Sequence, residues 1–591
     1  MTKPTVILDL ETYRDYFLAA FLNIDTGNVR HVELHDGQPF DGDTVRKILR
    51  KYRVVTFNGN NFDLPLLNLA MNGAGAGAIK TWANKIINQN ARPWTLGLES
   101  PRCDHVDLIE VAPGIASLKA YGSRMHCEHL QDLPIPHDAS IAPEDRETLR
   151  SYCANDLRTT LALFRRLEPQ IDLRTKMGGI YGIDLRSKSD AQIAETVIRR
   201  EVERRRGAPL AKEDPFRLVG ARFQYRAPAF VSFDSDNLRA MLHAIELADF
   251  VVGSSGAVTM PKELAGAKIK IGSGVYRMGI GGLHSSEESV AHFADADTVL
   301  IDRDVASYYP AIILRCGLTP ESLAPHFLPV YRGIVEERLA AKKSGDKVKA
   351  DALKITINGS FGKFGSPYSI LYSPSLLIQV TVTGQLCLLM LIEMIEQAGA
   401  QVVSANTDGI VIKAPRRHLP NVEAAVRHWE MTTGFDTEAT EYRALYSRDV
   451  NNYIAVKPDG SVKLKGAYAE GSLSKAPSAP IATGAVVKYL VDGTPIDETI
   501  AACQDIRKFV CARNVKGGAV KDGQPLGRVA RWYYALGELD CIRYAVNNYT
   551  VPRTEGARPL MTLPASVPAD LDREWYVLEA RSILRDIGAP Q

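Results

Sequence analysis

Carboxylates at short, regular spacing are the residues of this chain best placed to do chemistry. The run Val6-Ile7-Leu8-Asp9-Leu10-Glu11 reads as an apolar strand, and alternate side chains of a strand share a face, so Asp9 and Glu11 would border one metal-sized gap. Asp63 ends the run Asn58-Gly59-Asn60-Asn61-Phe62-Asp63, directly after the apolar stretch 53–57, where a loop would aim it at the same gap. Asp156 follows Tyr152 by one helical turn in the helical stretch from Asp145 to Leu167, so both project from one face. Four such carboxylates suit a pair of Mg²⁺ or Mn²⁺ ions that activate a water and stabilise the leaving oxygen of a phosphodiester. Tyr152 would orient that water.

A second set lies farther along. The segment Val299 to Leu314, VLIDRDVASYYPAIIL, reads as a buried strand delivering Asp304, then a turn through Ser307, Tyr308, Tyr309 and Pro310 into a helix. Ser404-Ala405-Asn406-Thr407-Asp408-Gly409-Ile410 lies between two apolar strands and predicts a hairpin with Asp408 at its tip. Between the two acids, Lys354 and Asn358 share a helical face, with Phe361 one turn on. Nucleotidyl transfer needs metal ligands and a cation on the triphosphate. Asp304 and Asp408 would supply the first, and Lys354, with Arg338 and Lys342 upstream, the second. Ser307 and Asn358 would complete the nucleotide pocket. Tyr309 would pack under the incoming sugar, where a ring leaves no room for a 2′-hydroxyl.

Each piece alone is common; their order is not. Asp-x-Glu, Asn-x-x-x-Phe-Asp and Tyr-x-x-x-Asp resemble, in that order, the Tyr-type 3′→5′ exonuclease of the four-carboxylate nuclease superfamily. Asp-x-x-Ser-x-Tyr-Pro at 304–310, Lys-x-x-x-Asn-x-x-Phe-Gly at 354–362 and Thr-Asp at 407–408 resemble the polymerase motifs of family B DNA polymerases. The resemblance implies α/β and α+β multidomain architecture, with a ribonuclease-H-like exonuclease domain beside a right-hand palm, fingers and thumb. It implies two Mg²⁺ per active site, replaceable by Mn²⁺, with Asp9, Glu11, Asp63, Asp156, Asp304 and Asp408 as ligands. It implies deoxynucleotides and primer-template DNA as substrates, single-stranded DNA in the exonuclease site, and a monomer assisted by a helicase or single-strand-binding protein.

The expected boundaries are 1–172 for the exonuclease, 173–296 for a connector, 297–325 and 367–470 for the palm, 326–366 for short fingers and 471–591 for a mostly helical, basic thumb. The short spacing from Asp304 through Lys354 to Asp408 leaves no room for large insertions, an outline that resembles a compact phage-type enzyme. Two departures stand out. The family's Asp-Thr-Asp is Asn406-Thr407-Asp408 here, which keeps the acid that the resemblance makes the direct metal ligand but puts metal affinity in doubt. A family Lys-x-Tyr that grips primer phosphates has Asn451 in place of its lysine. A palm silenced by Asn406, in a chain active only as an exonuclease, is the alternative; a DNA-binding scaffold silent at both sites is a third.

Weaker signals concern DNA contact. Gly281 and Gly282 resemble a glycine element that lets the backbone approach the template. Lys465 precedes Gly466 after the Tyr453 strand, and Arg513, Lys516 and Arg528, with Lys521 and Arg531 beside Trp532, Tyr533 and Tyr534, form a basic and aromatic cluster suited to duplex phosphates. The arginines of 199–206 alternate with Glu201 and Glu203 and read as a salt-bridged solvent face. With 71 Lys plus Arg against 69 Asp plus Glu, net charge decides nothing about a polyanionic partner. Eight scattered cysteines without Cys-x-x-Cys pairs fit a reducing cytoplasm, that of a bacterial host if the source is a phage. The apolar stretch from Gln379 to Ala398 is interrupted by Thr381, Thr383, Gln385, Glu393 and Glu396, so a buried core helix is expected and no membrane partner.

Overall fold

The strand predicted around Asp9 runs from Thr5 to Thr12 in the computed structural model, which describes residues 3–211 and 213–590. It pairs antiparallel with Phe17–Asn23 and parallel with Arg53–Thr56. The complete sheet has the order Val29–Leu34, Phe17–Asn23, Thr5–Thr12, Arg53–Thr56, Asp104–Asp107. Asp9 and Glu11 lie past the stretch Thr5–Ile7 that is paired on both edges and are fixed by the antiparallel edge, opposite Ala20 and Leu18. The helix Arg146–Tyr181 packs Leu149, Cys153, Leu157 and Leu163 into the core shared with this sheet.

The chain divides into two compact units, and the fold is mixed α/β and multidomain. One unit holds Met1–Ser189, Gly471–Ile481 and Ile500–Tyr576; the other holds Asp190–Glu470, Ala482–Thr499 and Val577–Gln591. The expected 471–591 segment is therefore split between the units. Nor is it mostly helical: Cys511–Lys521 and Gln524–Tyr534 form a long hairpin in a four-stranded sheet with Arg543–Tyr544 and Ala557–Pro559. Asp522 and Gly523, with φ of 51° and 74°, make the tight turn of that hairpin.

The second unit is built on a seven-stranded sheet. Its order is Thr437–Tyr442, Thr298–Val305, Gly409–Pro415, Gln401–Asn406, Leu283–Ser285, Gly274–Met278, Ile269–Ile271. Three of these strands come from 173–296, so the expected connector is part of the sheet that carries Asp304 and Asp408. These strands are only three to five residues long, too short to show periodicity in the sequence. Phe327–Ser344 and Lys347–Phe361 form a helical hairpin turned by Gly345, with Asp346 capping the second helix through the Lys349 amide at 3.0 Å.

The helix Pro374–Gln397 is long and apolar enough to cross a membrane, yet 83% of its most apolar window is buried. Its polar side chains have protein partners. Thr383 meets the Tyr225 hydroxyl at 3.0 Å, Gln385 bonds both backbone groups of Gly279, and Glu393 accepts from the amides of Asp234 and Ser235 at 2.9 Å. Groups satisfied in this way belong to a protein core.

Candidate active sites

In the first unit, Asp9, Glu11 and Cys153 bring ligand atoms within 4.8 Å of one another. Asp63 is buried and begins the helix Asp63–Met71 instead of lying in a loop, so its carboxylate also faces the positive end of a helix. Tyr152 and Asp156 project together from the Arg146–Tyr181 helix, as their spacing predicts. Burial holds all four acids above the usual carboxylate range, and repulsion within the cluster adds to it for Asp9, Glu11 and Asp63: Asp9 is pushed up to about 8, first by burial and then by Asp156. Glu11 and Asp63 are raised well above it, with Asp9 contributing to both, and burial lifts Asp156 to about 6. A set of oxygen donors that repel one another in a desolvated gap fits hard divalent cations.

Two neighbours tune this cluster. Lys119 Nζ donates to the Tyr152 hydroxyl at 2.6 Å and pairs with Asp132 at 3.2 Å, holding the phenol at the edge of the acids. The Cys153 thiol donates to Asp9 at 3.6 Å. Nothing in the sequence pattern separated Cys153 from an ordinary core thiol. His105 and Asp107 serve the scaffold: His105 meets Thr56 Oγ1 at 2.8 Å, and Asp107 accepts from the Asn58 and Asn60 amides at 2.7 and 2.9 Å. Asp107 thereby fixes the loop, with Asn58 at φ 69°, that delivers Asp63.

In the second unit, Asp304 pairs with Gly409 across neighbouring strands, next to Asp408 in the turn, and the Val305 amide donates to the Asp408 carbonyl at 2.7 Å. A cleft of about 380 Å³ is lined by Asp302, Asp304, Asn406, Asp408, Lys463 and Lys465 among others. A side chain at position 409 would run into Asp304 Oδ1 at 2.2 Å, so the glycine leaves room for the acid. Burial raises Asp304 and Asp408 above their ordinary range, with Asp302 adding to both and Lys463 opposing it in both. Asp302, buried and unremarked in the sequence, receives hydrogen bonds from Tyr442 and from Lys463 Nζ, the latter at 2.8 Å; Lys463 also lies 3.5 Å from Asp304.

The aromatic and basic residues gather at this unit too. The Tyr309 ring stacks on Phe361 at 4.1 Å and its hydroxyl donates to the Gly281 carbonyl at 2.9 Å. Arg338 donates to Ser307 Oγ at 2.9 Å. Lys354 and Asn358 are both exposed on the Lys347–Phe361 helix. Lys342 lies 4.0 Å from Glu438, with both side chains largely in solvent, a contact of little energy. Ser307 and Thr407 both adopt left-handed backbone, φ 49° and 56°, which is uncommon for such residues and needs support from the surroundings. For Thr407 that support is its amide bond to the Leu283 carbonyl at 2.9 Å, with Gly282 alongside. A Cβ on Gly282 would sit 2.9 Å from Thr407 Oγ1, so Gly282 closely approaches the turn carrying Asp408, whereas Gly281 borders open space.

Asn406 is integrated rather than stranded. Its amide donates to the Val450 carbonyl at 3.1 Å and lies 3.4 Å from Asn451 Oδ1, while its own oxygen accepts from Thr407 at 3.0 Å. The two departures noted in the sequence, at 406 and 451, therefore face each other. In the basic cluster of the first unit, Arg531 and Lys521 are buried: Arg531 bonds the carbonyls of Leu560, Cys127 and Glu128, and Lys521 pairs with Glu538 at 3.0 Å. Arg513 donates to the Pro552 carbonyl at 2.7 Å, leaving Lys516 and Arg528 as the exposed members of the hairpin.

Comparison with known proteins adds partial matches. No protein-family model matches the chain. A protein of Aeropyrum pernix is 28% identical over 206 residues, covering 29% of this chain and 21% of its own length. Relatives from Sulfurisphaera ohwakuensis and Saccharolobus solfataricus are each 28% identical over 121 and 119 residues, covering 14% and 13% of their lengths. All three bear the name DNA polymerase 1. The chain thus matches about a fifth or less of each relative. Among solved structures, the family B DNA polymerase of Pyrobaculum calidifontis aligns over 100% of this chain and 79% of its own, with a TM-score of 0.42 and 15% identity.

Proposed function

We propose that this chain is a template-directed DNA polymerase of the family B type that extends a primer 3′ end with deoxynucleotides and proofreads through a separate 3′→5′ exonuclease site. The observation that carries the reading is the meeting of Asp304 and Asp408 at one cleft, beside Lys463 and Lys465. The relatives' shared name supports it. Asp304 and Asp408 would hold metal in the palm, and Asp9, Glu11, Asp63 and Asp156 in the exonuclease. Bound Mg²⁺ or Mn²⁺, two per site, would make the attacking hydroxyl or water more acidic and carry the charge of the leaving group.

The protein's own groups supply the rest. Lys354, Arg338 and Lys342 present positive charge to the triphosphate from the helical hairpin, which acts as fingers, and Asn358 and Ser307 orient it. Tyr309, held flat by Phe361 and by its bond to Gly281, excludes a 2′-hydroxyl because its ring has nowhere to move. In the exonuclease site Lys119 keeps Tyr152 aimed at the attacking water, and the strand entering there is single-stranded DNA. Gly281 and Gly282, Lys465, Arg513, Lys516 and Arg528 would meet the DNA backbone. The relatives are archaeal, so the compact phage-type reading rests on the short motif spacing alone. The scattered cysteines, without Cys-x-x-Cys pairs in the sequence, support a reducing cytoplasm.

The test is primer extension with all four deoxynucleotides, in Mg²⁺ and in Mn²⁺, for wild type, Asp304→Ala and Asp9→Ala. Extension by wild type, degradation alone by Asp304→Ala and extension without degradation by Asp9→Ala are expected. Digestion through Asp9 with no extension in either metal would mean that the palm is silent and that the chain works only as an exonuclease.

A further inference from the structure

The second unit contains a groove unrelated to either acidic cluster. Its volume is about 620 Å³, and its walls include Arg199, Arg206, Arg217, Glu213 and Tyr368. The volume lies within the range of about 300–1,000 Å³ that houses a nucleotide-sized group. Three arginines against one glutamate leave it positive. Arg217 is held by Glu213 at 2.6 Å and over the Tyr372 ring at 5.4 Å, and Arg199 reaches Glu203 only at 3.9 Å. Arg206 is exposed and makes no ion pair among the described residues, whereas Arg199 and Arg204 pair with Glu203 and Glu201 on the salt-bridged solvent face expected of this helix.

Tyr368 at the groove and Phe216 beside it are both exposed rings. Tyr368 is 75% exposed and Phe216 42%, and they meet edge to face at 5.8 Å. A tyrosine so exposed gains little from burial, yet its loop is fastened: the Ile370 amide donates to Glu195 at 3.1 Å, Lys363 pairs with Glu195 at 3.0 Å, and Ser322 donates to the Ile370 carbonyl at 3.4 Å. A rigid loop that holds a ring out in water beside guanidinium groups has the make-up of a stacking platform for bases with a cationic track for phosphates. An acidic protein segment would use the arginines but would leave the exposed rings without a role.

Position selects which nucleic acid. The loop follows the Lys347–Phe361 helix after one short turn, Gly362–Gly365. Tyr368 is seven residues from Phe361, the ring stacked on Tyr309, and so lies at most about 25 Å from it along the chain. Under the polymerase reading, on which this inference rests, the strand that has yet to be copied is single-stranded at that distance. We infer that this groove binds the unpaired template strand ahead of the primer terminus, stacking a base on Tyr368 and neutralising a phosphate with Arg206.

The test compares primer-templates whose 5′ template overhang is about two or about ten nucleotides, the longer one being within the usual footprint of a single-strand site. Binding is followed by anisotropy and single-nucleotide incorporation by gel. Tyr368→Ala should weaken binding of the long-overhang substrate about tenfold and leave the short one unchanged, while Tyr368→Phe, which keeps the ring, behaves as wild type. Arg206→Ala should lower the salt dependence of long-overhang binding by about one charge. Equal effects on both substrates, or none on either, overturn the groove. Failure of the polymerase reading looks different: wild type then incorporates nothing on either substrate, and the overhang dependence of Tyr368→Ala still reports whether the groove holds single-stranded DNA.

Discussion

Replacing Asn406 by aspartate would restore the residue that the resemblance expects, yet the structure predicts harm. The Asn406 amide is a donor to the Val450 carbonyl at 3.1 Å and faces the Asn451 oxygen at 3.4 Å. A carboxylate there sets oxygen against oxygen, loses one hydrogen bond and strands a carbonyl, at a cost of about 2 kcal/mol. It also adds negative charge beside Asp304 and Asp408, which burial and neighbouring acid already hold above their ordinary range. Asn451→Lys alone, at an exposed position, should change stability by no more than about 0.5 kcal/mol. Together the two changes create a carboxylate–ammonium pair worth about 1 kcal/mol after allowance for solvent, so the double variant should recover roughly half of the loss. The assay is a double-mutant cycle on urea midpoints and on single-nucleotide incorporation in Mg²⁺. Incorporation that rises in Asn406→Asp alone, or single effects that simply add in the double, would refute the argument that positions 406 and 451 form one unit.

Two further outcomes are expected. Asp9, at about 8, and Asp156, at about 6, bind protons more tightly in the folded chain than in the unfolded one, where aspartate titrates at about 3.9; without metal the native state therefore holds more protons between these limits, and stability falls as pH rises from about 4 to about 8. Thermal melts in chelator should show that slope, saturating Mg²⁺ or Mn²⁺ should flatten it, Asp9→Asn should reduce it, and a pH-independent melt in chelator would count against the crowded cluster. Lys463→Met leaves the buried Asp302 carboxylate without its cation, a change that costs about 2 kcal/mol once the 29% exposure of the lysine is allowed for. It also removes the charge that opposes protonation of Asp304 and Asp408, so the acid limb of the incorporation rate against pH should move upward, and an unmoved limb would show that Lys463 does not act on them.

What the sequence determined by itself was local. Strand alternation put Asp9 and Glu11 on one face, helical periodicity joined Tyr152 to Asp156 and Lys354 to Asn358, and the polar turn between apolar strands put Asp408 at the tip of a hairpin. The hairpin at 511–534 stands where helix was expected, although Asp522-Gly523 between its strands is a tight-turn signal. Tertiary structure alone decided the rest. Whether a cation is a DNA contact or a core fastening depends on burial, and Arg531 and Lys521 turned inward because carbonyls distant in sequence needed their donors. Asp302 with Lys463, Asn406 with Asn451 and Gly282 with Thr407 are likewise pairs between separate segments. Their meeting is set by sheet register and long-range packing, which no local spacing encodes.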